Sequence, residues 1–321
     1  MTETTYTRTP AVAQLPLRLV LAKARRRIFK YRWLYLMMLP GIVYFVCFRY
    51  LPLWNAQIAF KDFKPLMGVW GSPFVGFKHF VTFFNSYYFT ELIRNTIFFS
   101  MAKLILGMPL AIFLALCLYE SVFKYMKSVV QTISYMPHFL SWVIMFGILL
   151  MLLSPTDGLI NEILKAMKLK PIGFLTSPAW FRVVVIVSDI WKETGWSTII
   201  YLAALMSIDP NLFEAAAVDG ASRLGRIWHV SLPGILGTVV VVTLLRLGNI
   251  LDAGFHQIFV LYSLPVYSTG DILDTWVYRQ GILEFQFSLA TAVGIFKGTI
   301  GLILVVVADK LAKRITGSGL Y

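Results

Sequence analysis

Two groups of polar side chains interrupt otherwise apolar stretches of this chain, and they are the residues whose types and spacing could do chemistry. One is Asp189, Lys192, Glu193 and Trp196; the other is Arg246, Asn249, Asp252, His256 and Gln257. At about 100° per residue the first set shares an arc of roughly 100° and the second an arc of roughly 140°. Ionisable groups inside apolar spans are costly and face a bundle interior or a wet cavity. The first set reads either as a neutralised cluster of ion pairs around Lys192 or as a contact for a solute. The second reads either as the lining of a polar pathway or as glue between helices, with Arg246 and Asn249 near mid-bilayer. Covalent chemistry is not expected, because no nucleophile stands with a base. His138 and His256 lack metal-ligand spacing and read as hydrogen-bonded histidines.

The elements that must position these residues follow from composition. The chain has 321 residues, 58% of them hydrophobic and only 14% charged, where a soluble domain carries about a quarter charged. The deficit falls in blocks approaching the roughly 20 apolar residues that cross a bilayer. Six spans are predicted: Trp33–Phe48, Asn95–Leu118, Ser128–Leu153, Trp180–Met206, Gly234–Val260 and Phe287–Ala308. Pro40-Gly41 marks a kink in the first. The fold class is all-α, a polytopic membrane protein. A basic segment, 1–32, precedes the membrane domain, 33–308, and a tail, 309–321, follows it. No small-residue cleavage site follows the basic head, so no cleaved signal is expected.

The net charge of +13 is topological, since basic residues gather at span ends and no nucleic-acid-reading motif is present. With the N-terminus inside, the inner segments hold 15 Lys and Arg, including the run up to Arg32 and Lys310, Lys313 and Arg314; the outer segments hold 10. Both termini are therefore expected in the cytoplasm. The outer segment Lys61–Arg94 is rich in aromatics (Trp70, Phe74, Phe83, Tyr87 among them), which favours anchoring at the interface or contact with an external partner. Cys47 and Cys117 have no disulfide or metal spacing and read as small core hydrophobes. The sixth span carries Gly294, Gly298 and Gly301, small residues that permit close contact within the chain or with a second subunit.

Between the fourth and fifth spans lies a polar hairpin, 207–233, ending in Glu214–Pro233. Asp209 is an N-cap and Pro210 occupies the first helical position. A helix Asn211–Asp219 follows, and Gly220 closes it in the left-handed conformation. A second short helix, Ser222–Val230, leads into the fifth span. The order of Pro, Ala and Gly makes a rigid lever rather than a passive connector.

Glu214-Ala215-Ala216, then Gly220, Val230 and Leu232-Pro233, resembles the signature loop of permease subunits from binding-protein-dependent ABC importers. Val230 stands where Ile is usual. Tyr201–Leu205, Ile208-Asp209-Pro210 and Asp219-Gly220-Ala221 resemble the carbohydrate-uptake branch. Met136–Trp142, Ile190–Trp196 and Ala253-Gly254-Phe255 are similar to its oligosaccharide subgroup, of the alginate or pectin type. The resemblance implies the type I importer permease fold with six spans in the bacterial cytoplasmic (inner) membrane. It implies pairing with a second permease, two cytoplasmic ATPase subunits and an external solute-binding protein. Glu214, Ala215, Ala216, Asp219 and Gly220 would dock the ATPase, while Arg246, Asn249, Asp252, His256, Gln257 and Trp196 would line the sugar's path, Arg246 being suited to a uronate carboxylate. No cofactor is expected in this chain: ATP and Mg belong to the partner ATPase. Gly71–Lys78 is the nearest approach to a phosphate loop, and it has Phe77 where Lys should follow the second Gly. The rival class is an autonomous secondary transporter or channel, against which stands the lack of an inverted repeat.

Overall fold

The computed structural model describes residue 27 and residues 29–316; the rest of the basic head and the last residues of the tail lie outside them. Among the described residues four helices are long and apolar enough to cross a membrane, and counting each of two bent pairs as one span brings the candidates up to six. Residues 1–57 and 58–321 form two compact units.

The first helix, α1, runs Arg32–Phe60. It continues well past the predicted end at Phe48 through a π turn at Val46–Tyr50, and Pro40 lies inside it without ending it. Cys47 on α1 is exposed, as is Cys117 further on, so neither is the core residue expected. Helix α2, Phe89–Glu120, extends the second span at both ends.

The third span is not one helix. Helix α3, Lys124–Tyr135, passes into a 3-10 turn at Met136–Phe139, and α4, Trp142–Leu153, leaves at 106°. Ser141 starts α4 by accepting a hydrogen bond from the Ile144 amide at 3.3 Å. Hydropathy registers the apolar run but not the change of direction that Pro137 and this cap impose. A short helix α5, Leu159–Ala166, then leads to α6, Pro178–Met206.

α6 bends 70° into α7, Pro210–Val218, the first arm of the hairpin. Asp209 accepts from the Asn211 amide at 3.0 Å, as an N-cap should. Gly220 has φ +78 and the Ala221 amide reaches back to Ala216 O at 2.9 Å, the expected left-handed stop. The second arm differs from expectation. No separate helix covers Ser222–Val230; instead α8 runs Arg223–Gly248 as one apolar helix, with a π turn at Ile227–Ser231 absorbing the join.

The predicted fifth span, Gly234–Val260, is broken. α8 ends at Gly248, a 3-10 turn covers Ile250–Asp252, and Ala253 (φ 46) and Gly254 (φ 87) are both left-handed. A new helix α9, Phe255–Leu261, follows. The arc that united Arg246 with Gln257 presumed one helix and does not survive this break. Helix α10, Leu273–Tyr278, precedes α11, Phe287–Thr316, which continues as helix through the first residues of the predicted tail.

α2 and α6 pack through Ala111, Ala115, Tyr201, Leu202 and Leu205, all buried with Ile235 of α8. Thr198 donates across the seam to Ala111 O at 3.2 Å. A second cluster joins Phe83 and Leu92 to Leu251, Trp276 and Val293. Phe83, predicted to sit at the interface, is thus buried, while Trp70, Phe74 and Tyr87 are exposed. Gly301 on α11 leaves room for α8, since a Cβ there would lie 3.0 Å from Gly248 O; Gly294 and Gly298 face open space.

The tightest approach lies at Gly195 on α6, where a Cβ would stand 2.0 Å from the Ser134 carbonyl oxygen of α3. Gly195→Ala should therefore destabilise the protein by about 3 kcal/mol through overpacking against backbone. Gly294→Ala, with nothing within 4 Å, should stay within about 0.5 kcal/mol. Thermal unfolding in detergent compares the two.

Candidate functional site: a charged cavity and a projecting hairpin

Lys103 is the one charged residue of α2 between Arg94 and Glu120. Its ammonium has three donors and finds three acceptors: Asp189 of α6 at 3.0 Å, Ala253 O at 3.0 Å and Gln257 Oε1 at 2.5 Å. Gly254 beside it takes φ +87, a conformation that favours glycine, and a Cβ there would lie 2.5 Å from Lys103 Nζ, so the lysine end would have to shift. Gln257 spends its remaining donors on Val185 O at 2.7 Å and Ser188 Oγ at 2.9 Å, and is fully buried.

One turn along α6, Lys192 donates to His138 O at 2.7 Å and Glu193 at 3.1 Å, and Glu193 also meets His138 Nδ1 at 2.8 Å. The His138 ring lies flat on Trp196, centroids 4.5 Å apart and planes within 3°. The α3–α4 break thus presents an imidazole and an indole as one aromatic wall. The predicted cluster around Lys192 is divided: Glu193 belongs to it, whereas Asp189 pairs with Lys103.

These groups enclose a cavity of about 610 Å³ walled by α2, α6, α8 and the broken fifth span. Lys103, His138, Asp189, Glu193, Trp196 and Arg246 line it, with Asn249 and Asp252 on the side of the break. Arg246 donates to Ser197 Oγ at 2.8 Å. Of the cations here, Lys103 and Lys192 face carboxylates, and Arg246 faces a hydroxyl.

The sequence-predicted pathway residues are therefore split. Trp196, Arg246, Asn249 and Asp252 come together in this cavity. His256 turns into a neighbouring cavity of about 560 Å³ with Phe255 and Tyr278. Gln257 is a wall brace with no face on either cavity. Sequence reasoning missed Lys103, although a lone lysine amid a long apolar run is itself the signal.

Asp252 adjoins Asp274 of α10, which Lys297 of α11 holds at 2.6 and 2.8 Å. Next to it, Arg279 and Asp271 form a bond of 2.5 Å, and Arg279 lies over the Tyr267 ring at 4.7 Å. Burial alone would lower the Arg279 guanidinium, but its bond to Asp271 raises it above the ordinary value.

Beyond the end of α6 the hairpin leaves Glu214, Ala215, Asp219 and Gly220 exposed and Ala216 partly so. Tyr119 and Phe213, ring centroids 5.7 Å apart, tie its first arm to α2. Its second arm is α8 itself, which carries Arg246.

Membrane-length helices around a charged cavity, with an exposed hairpin continuous with one cavity wall, are the parts of a transport subunit. The chain belongs to the family of binding-protein-dependent transport system inner membrane components, whose pattern matches residues 107–317. It is thus a multi-pass protein of the bacterial inner membrane. It is 43% identical over 92% of each chain to the polygalacturonan/rhamnogalacturonan transport system permease protein YteP of Bacillus subtilis. It also superposes, with TM-score 0.85 and 42% identity over 92% of this chain and 99% of the other, on a chain from the crystal structure of a bacterial ABC transporter that imports the acidic polysaccharide alginate. The same figures hold for that transporter in complex with an alginate pentasaccharide-bound periplasmic protein.

Removing one partner of a buried ion pair leaves the other uncompensated and costs about 3–5 kcal/mol. Lys103→Met should lower stability by that order, and adding Asp189→Asn should recover part of the loss. Melting temperatures of the wild type, both single variants and the double variant measure the coupling.

Proposed function

We propose that this chain is one permease subunit of an ATP-driven importer of oligosaccharides that carry uronate carboxylates. It pairs with a second permease, receives its sugar from an external solute-binding protein, and couples to separate ATPase subunits that hold ATP and Mg. Its termini and the hairpin face the cytoplasm, as the excess of Lys and Arg on that side supports.

The observation that carries the sugar class is Arg246. Its guanidinium reaches into the cavity with only a neutral hydroxyl as hydrogen-bond partner among the described residues, so a planar bidentate donor is left for an incoming carboxylate. The stacked His138 and Trp196 offer an aromatic face to a sugar ring, and Asn249 supplies polar contact to hydroxyls. One relative described above is named for polygalacturonan/rhamnogalacturonan transport and the other for import of the acidic polysaccharide alginate, which agrees with this reading. The docking role of the hairpin is supported by its exposed apolar tip, Leu212, Val218 and Leu224 among charged neighbours. Because α8 begins in the hairpin and ends at the cavity, a push on one end is carried to Arg246 by a rigid helix. No group in this chain needs to act on the sugar chemically.

The importer reconstituted in liposomes with its second permease, ATPase and binding protein should take up an oligouronide only when ATP is supplied. Uptake by this chain alone without ATP would overturn the reading. Arg246→Ala should cut oligouronide uptake by about tenfold or more, the loss of one charged hydrogen bond, while a neutral oligosaccharide is affected far less. Equal uptake of both would make Arg246 structural. Gly220→Val places a β-branched residue at φ +78, a conformation strained for it; it should abolish sugar-stimulated ATP hydrolysis while membrane insertion, read by fractionation, is unchanged.

A further inference from the structure

On the side of α6 away from the charged cavity lies a groove of about 350 Å³ with almost no polar lining. Trp180, Val183, Val187 and Trp191 recur at helical spacing along α6 and face Leu149 and Leu152 of α4. Ser188 is the one hydroxyl in the wall, and it is spent on Val184 O at 2.6 Å. Apart from the indoles of Trp180 and Trp191, such a groove offers a sugar no polar group to bond. It offers an acyl chain continuous dispersion contact.

Its dimensions match one leaflet. From Trp180 to Trp191 is eleven residues, about 16 Å at 1.5 Å per residue, and half of a hydrocarbon core of about 30 Å is about 15 Å. The groove begins where α6 begins, at the end opposite the hairpin. There α5 closes it with Ile160, and the following segment with Phe174.

α5 has the character of a helix lying in the membrane interface. Leu159, Ile163 and Met167 are exposed apolar residues, while Asn161 pins the element to its own chain through Ser154 O at 2.9 Å and Ile172 O at 3.0 Å. Lys165 is paired with Glu162 at 2.7 Å. Lys168 and Lys170, on the turn held to α5 by the Leu169 amide and Leu164 O at 2.8 Å, have no carboxylate partner among the described residues. Two exposed ammonium groups thus stand on the segment that joins Ile160 to Phe174, the two residues closing the outer end of an apolar slot one leaflet deep.

We infer that this groove binds one phospholipid with an anionic headgroup from the leaflet opposite the hairpin, its acyl chain along Trp180–Trp191 and its phosphate at Lys168 and Lys170. The site is separate from the sugar cavity and stands or falls independently of the transported substrate. A lipid seated there would brace α4 against α6, the two helices that support the α3–α4 break and its His138–Trp196 wall.

The test is native mass spectrometry of the assembled importer from nanodiscs containing equal phosphatidylglycerol and phosphatidylcholine. The wild type should retain at least one phosphatidylglycerol per copy of this chain after detergent stripping. Val187→Trp, which fills the groove from an exposed position, should lose one lipid per copy while the complex stays assembled. Lys168→Gln and Lys170→Gln should each reduce the preference for phosphatidylglycerol by about fivefold. A diazirine-bearing phosphatidylglycerol should label peptides containing 149–153 or 180–191 in the wild type and not in Val187→Trp. Unchanged lipid retention in Val187→Trp, or labelling confined to other segments, would overturn the inference. So would crosslinking of Val187→Cys to another subunit, because a protein would then cover the groove.

Discussion

The arrangement depends first on the Lys103 ammonium. A charge inside a span must be matched in full or expelled, and here all three of its protons are taken by groups on two other spans. To satisfy them, α6 must place Asp189 beside α2, and the fifth span must unwind so that a backbone carbonyl, Ala253 O, points inward. A regular helix keeps its carbonyls for its own amides. The left-handed pair at Ala253 and Gly254 frees that carbonyl, and Gly254 admits the lysine end that any side chain would displace. The break in the fifth span and the position of α6 are thus two consequences of one desolvated charge.

The cavity exists because spans are broken. The α3–α4 bend turns His138 onto Trp196, and the end of α8 at Gly248 leaves Asn249 and Asp252 on irregular backbone at the cavity rim. Irregular backbone at membrane depth is tolerated where it lines a wet space or is buried in protein, and both conditions hold here. Two further ion pairs, Arg279 with Asp271 and Lys297 with Asp274, tie the segment before α11 to itself and to α11. α8 links the hairpin to Arg246 without interruption. The π turn at Ile227–Ser231 fits one extra residue into that link, which sets the rotational phase of the cavity-facing residues relative to the hairpin.

Much of this was legible in the residues themselves. The spacing from Glu214 to Pro233 was enough for the family resemblance, and Asp209, Pro210 and Gly220 take the cap, first-turn and stop positions their chemistry requires. Arg246 and Trp196 were legible as cavity residues because a cation and an indole among aliphatic neighbours are conspicuous. Gln257 looked equivalent by spacing and is instead a brace, since spacing assumes an unbroken helix. Lys103 was overlooked because it stands alone, with no neighbour in sequence to mark a cluster.

The sequence by itself determined what local physics decides: which segments are apolar enough to enter a bilayer, where helices start and stop at caps and glycines, and that a polar hairpin separates the fourth and fifth spans. Only the tertiary structure decided which ionised groups pair. Asp189 had Lys192 within a turn of its own helix and pairs instead with Lys103, 86 residues away in sequence. In a desolvated interior an ion pair forms where packing brings the charges within about 4 Å, and the cost of leaving any one unmatched couples all of them at once. That condition is global, so it cannot be read from the spacing within one helix.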